Sequence, residues 1–112
     1  MRYTRLQDFP DKSNLHKVSV KNIYDHPEAA VSHILLRPGE FLLKHVTPVD
    51  VFFYVLEGEG EVEVGEEKVH VVKDMIIESP KDIPHRLMNE GKEDFRFLVV
   101  KTPKQAVKST LL

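Results

Sequence analysis

RPGEFLLKHVTPVDVFFYVLEGEG, residues 37–60, holds the strongest structural signal in this chain of 112 residues. Pro38-Gly39 opens it as a turn, because proline fixes one backbone angle and glycine accepts the left-handed conformation beside it. His45 and Thr47 follow, two residues apart and so on one face of an extended backbone. Val51 to Leu56 is then apolar at every position, with Val51, Phe53 and Val55 on one side and Phe52, Tyr54 and Leu56 on the other. A strand of that kind needs cover on both faces. The domain core supplies one cover. A second copy of the chain, in a homodimer, is expected to supply the other, with a further segment of the same chain as the alternative. Glu57-Gly58-Glu59-Gly60 closes the run.

Working outward, short strands recur on both sides. Upstream, His16, Val18 and Val20 alternate with Lys17, Ser19 and Lys21, the period of a half-buried strand. Asp25-His26-Pro27-Glu28 is a turn, and Ala30 to Leu36 a second strand. Phe41 to Val46 reads as a third. Downstream, Val62 and Val64 face Val69 and Val71 across the turn at Gly65, a hairpin with acidic residues on its wet side. Met75 to Ile77 is a short strand, Ser79 to Pro84 a loop. Arg86 to Asn89 and Phe95 to Val100 read as a last hairpin. Residues 1–14 form an arm, and residues 103–112 a tail with one or two helical turns. No linker or repeat divides the chain, so 1–112 is one domain with its core over 30–100. Eight or more short strands and no long helical pattern predict an all-β, antiparallel sandwich or barrel. No connection is long enough for a crossover helix, which excludes a parallel α/β sheet.

Composition narrows the function. The net charge is −2, with no basic cluster interleaved with aromatics, so a nucleic-acid surface is not expected. There is no cysteine, which excludes a disulfide framework, a thiolate metal site and a cysteine nucleophile. No apolar run approaches a membrane span or a signal peptide, and the expected compartment is the cytoplasm.

Gly39, His45 and Gly58 around the apolar strand resemble the first motif of the cupin family. Pro80-Lys81-Asp82-Ile83-Pro84-His85, with Asn89 beyond it, resembles the second. The resemblance implies a double-stranded β-helix, or jelly roll. It also implies a site inside the barrel, which in the family is built from three histidines and one glutamate. Here His45 and His85 keep two of the histidine positions, while Thr47 replaces the third histidine and Val51 the glutamate. Asp74 and Asp82 stand where the second motif usually has glycines. By this resemblance a divalent ion (iron, manganese, nickel or zinc), where one binds, is held by His45 and His85.

Strand parity gathers His45, Thr47, Val51, Phe53, His85 and Asn89 around a barrel cavity as the expected ligand-binding set. The expected role is to hold a small polar molecule there. Three classes stay open. They are a metal-dependent oxygenase or isomerase, a metal-free ligand pocket, and a structural or effector-binding module with both histidines as satisfied core residues. A metal-free pocket admits a histidine base, since imidazole titrates near neutrality. Epimerases of this fold pair that base with a tyrosine, yet Tyr54 lies on the outward parity, and Tyr3 and Tyr24 lie outside the motifs. His33 is a further candidate whose face the sequence does not fix, whereas His16 and His26 lie far from both motifs.

Overall fold

The computed structural model describes residues 1–112. Ten strands follow a single 3-10 turn at Leu6–Asp8: β1 Ser19–His26, β2 Ala29–Leu36, β3 His45–Val46, β4 Asp50–Glu57, β5 Glu59–Val64, β6 Glu67–Val72, β7 Ile76–Ser79, β8 His85–Met88, β9 Phe95–Thr102 and β10 Thr110–Leu111. They form two five-stranded sheets, ordered β1-β2-β9-β4-β7 and β10-β3-β8-β5-β6. Every pairing is antiparallel. This is the all-β jelly roll expected above.

The core lies between the sheets, where twelve apolar side chains are buried, among them Leu36, Phe53, Val55, Val62, Leu87, Phe95 and Phe97. β4 divides as its sequence predicts. Val51, Phe53 and Val55 are buried inward, and Phe52, Tyr54 and Leu56 are half-buried on the outer face. Outward in the same register row as Tyr54 stand His33, Leu98 and Ile76. No helix is long and apolar enough to cross a membrane.

Three expectations fail, each for a physical reason. Arg86–Asn89 and Phe95–Val100 are not a hairpin: β8 pairs with β3 and β5, whereas β9 pairs with β2 and β4. The turn between them moves the chain from one sheet to the other. The first strand starts at Ser19, so His16 precedes it in a turn rather than within it. The tail forms no helical turn. It runs back extended along β3, pairing Thr110 with Val46 and Leu111 with His45, because an open sheet edge satisfies its backbone groups.

The glycine-to-aspartate changes leave the turns intact. Asp74 and Asp82 have φ of 70° and 65°, in the left-handed region. Aspartate tolerates that conformation better than most side chains.

Candidate functional site

One end of the space between the sheets is open and forms a cavity of about 290 Å³. β3 and β8 bring His45 and His85 opposite each other in register. His85 Nε2 lies 3.1 Å from His45 Nε2 and 3.3 Å from Thr47 Oγ1. Behind them, His45 Nδ1 donates to the Leu43 carbonyl at 2.7 Å, which requires the proton on that nitrogen. His45 Nε2 is then an acceptor in the neutral ring, and His85 Nε2–H donates to it. That leaves His85 Nδ1 to accept from the Ser79 hydroxyl at 2.7 Å. One tautomer arrangement thus satisfies Ser79, His85, His45 and Leu43 in a single chain.

Both rings are held neutral. Burial, followed by the charges of His45, Lys101 and His16, pushes His85 down to about 3. Burial above all, and then Lys101, lowers His45 as well, against the opposing pull of the Leu43 carbonyl.

Val51 and Phe53 form a wall of this cavity, as parity implies, together with Ile34, Leu42 and Val99. Phe53 presents its ring nearly edge-on to His85, with centroids 5.3 Å apart. Asn89 is the exception. Although buried, it lies outside the cavity and spends its amide on main chain, donating to the Leu36 and Glu93 carbonyls and accepting from Gly91 N–H. The same parity that points it inward sets it beyond Leu87, at the other end of the barrel, where it shapes the β8–β9 turn.

The structure adds two residues that the sequence did not single out. His16 reaches the cavity from its loop, its ring 5.2 Å from that of His45, and its Nδ1 accepts from the Leu43 N–H at 2.7 Å. Its alternation with Val18 and Val20 suggests a strand position away from the motifs, but it stands in a turn before that strand. Lys101 extends the inward series Phe95, Phe97, Val99, a signal that was present but was masked by its charge. Its Nζ donates to Gln105 Oε1 at 2.7 Å, and burial holds its ammonium below the usual lysine range. The tail closes the network: Gln105 donates to Ser109 Oγ, which lies 3.2 Å from Thr47 Oγ1. His33 stays out. It is buried on the outer side of the first sheet, its Nε2 accepting from Arg96 at 2.8 Å.

The donor set does not fit a firmly held divalent ion. Two nitrogens 3.1 Å apart suit adjacent positions on one ion, which lie about 3 Å apart when each bond is about 2.1 Å. The set stops there: His16, the third histidine of the cavity, spends its Nδ1 on the Leu43 N–H, and no cysteine or carboxylate completes a group able to hold a metal. Asp50, beside the missing glutamate, is exposed and accepts from Lys81 N–H. Thr47 is a weak donor, Val51 is none, and Lys101 adds a positive charge.

Comparison with known proteins agrees with this architecture. Residues 32–101 match the family model described as the Cupin domain. The polyketide synthase CurC of Streptomyces cyaneus is 34% identical over 70 residues, which span 62% of this chain and 46% of that protein. The chain therefore matches less than half the length of that relative. Among solved structures, TT1209 from Thermus thermophilus superposes with a TM-score of 0.79 at 29% identity, over 92% of this chain and 98% of that one. The polyketide cyclase RemF from Streptomyces resistomycificus gives a TM-score of 0.86 over 100% of this chain and 85% of its own, and at 16% identity the likeness is one of fold.

Proposed function

The chain belongs to the cupin domain family, and from that premise we propose that it holds a small polar ligand in the cavity beside His45 and His85. The observation that supports this most is the linked pair itself. Two neutral imidazoles, oriented by Leu43 and Ser79, stand in an open cavity and not in a sealed core. Their burial is compensated by these hydrogen bonds, and what favours a ligand is an open cavity with an apolar wall and a few converging polar groups. The ligand competes with His45 and Thr47 for the His85 Nε2–H, while Phe53 and Val51 exclude water from its apolar side.

The test is thermal unfolding against a library of small polar molecules, with His45→Ala and His85→Ala alongside. A ligand at a hundred times its dissociation constant stabilises the fold by about 2.7 kcal/mol, and both variants are expected to lose that gain. A library that leaves the wild type unmoved, or variants that respond as the wild type does, would refute the reading. Elemental mass spectrometry tests the competing one. Near-stoichiometric iron, manganese, nickel or zinc, lost in both variants, would replace a ligand pocket with a metal-dependent oxygenase or isomerase.

The proposal extends to a homodimer through the outer face of the first sheet. Phe52, Tyr54, Leu98 and Val100 lie side by side there, only half covered by their own chain.

A further inference from the structure

We propose that the cavity selects an organic anion, a carboxylate on a small apolar body, with Lys101 as its counter-charge. This rests on the ligand-cavity reading above and narrows it.

The first ground is the charge of the lining. Sixteen residues surround the cavity, and none is aspartate or glutamate, while Lys12 and Lys101 are both present with the three histidines. The second is register. Lys101 of β9 pairs with Val51 of β4, the position that resembles the family's glutamate site. The chain thus sets an ammonium beside methyl groups where that pattern has a carboxylate, and the sign of the site is reversed.

The third ground is that Lys101 is unpaired. It takes part in none of the ion pairs of the chain. Its side-chain partner is a neutral amide oxygen, that of Gln105. A half-buried ammonium without a counter-ion is costly, and a carboxylate would relieve that cost with a charge-assisted hydrogen bond. His16 and Thr47 add polar groups to the lining from outside that sheet. Ile34, Phe53 and Val99, on the same sheet as Lys101, suit an apolar body beside the ammonium. At about 30 Å³ for each water-sized group, the cavity of about 290 Å³ has room for roughly ten such groups.

The experiment is calorimetric titration of the full chain with acetate, pyruvate, benzoate and phenylacetate, each paired with its neutral amide. It is run in the presence of a chelator. At least one carboxylate is expected to bind ten times more tightly than its amide. Lys101→Met is expected to lose that preference and Lys101→Arg to retain part of it, while Lys73→Met, on the exposed surface, serves as the control. Circular dichroism confirms that each variant is folded. Amides that bind as well as the acids, or unchanged carboxylate affinity in Lys101→Met, would overturn the anion inference and leave the ligand cavity standing. Silence from acids and amides alike overturns the inference, and the library above then decides the cavity reading separately. Carboxylate binding that appears only when zinc replaces the chelator would also overturn it.

Discussion

His85 is the residue whose environment departs furthest from water. Its pKa falls from 6.5 to about 3, through burial first and then through its neighbours His45, Lys101 and His16, beside which a further positive charge is disfavoured. The folded state therefore binds fewer protons than the unfolded state between those two values, and stability rises with pH across that window. It is fully present above pH 6.5 and is lost as the pH falls toward 3. His85 alone accounts for a loss of about 2 kcal/mol between pH 7 and pH 5, and the lowered His16 and His45 act in the same direction. Urea titrations at the two pH values check this, and His85→Gln is expected to flatten the difference. At this scale the sequence was legible wherever strand parity applied. His45, Thr47, Val51, Phe53 and His85 meet in one cavity because alternation fixes their side. Asn89 obeyed the same parity yet fell at the wrong end, since alternation gives the face of a strand and not the depth along it. His16 shares the alternation of Val18 and Val20 and so reads as a strand residue far from the motifs, whereas a loop delivers it to the cavity.

At the scale of elements, the turns show which glycines are replaceable. Gly60 of β5 has no room for a side chain, because a Cβ would meet the ring of Phe95 and the Met88 carbonyl. Phe95 is wholly buried and has nowhere to move. Gly60→Ala is expected at the upper end of the roughly 1–3 kcal/mol that overpacking costs. Asp82→Gly is the contrast. The residue already holds a left-handed backbone, so gained ease in the fold and gained freedom in the unfolded chain offset each other within about 1 kcal/mol. Chemical denaturation of the two variants checks both. Strand existence was legible from alternation and turn residues, while strand partnership was not. β8 and β9 look like hairpin partners because they are adjacent in sequence, and the crossing between sheets depends on contacts far along the chain. The tail reads as weakly helical by composition and becomes β10 because β3 offers it an edge.

For the whole molecule, the two-faced apolarity of β4 resolves into one face in the core and one half-covered. The proposed homodimer predicts a sedimenting mass twice that of the chain at micromolar concentration. Phe52→Lys is expected to return it to the monomer while circular dichroism stays unchanged, and a wild type that sediments as a monomer would exclude the dimer. The order of strands has a further effect, on how the molecule is made. In the first sheet β1 pairs with β2 and β7 with β4, and β9 alone joins these two halves. The ribosome makes it after both. Until Phe95–Thr102 has emerged, β2 and β4 each keep a bare edge, one of them on the most apolar strand of the chain. Bare apolar edges of that kind pair with whatever strand is nearest. A ribosome stalled before residue 95 is therefore expected to hold a chain with two unpaired edges, prone to pairing with its neighbours.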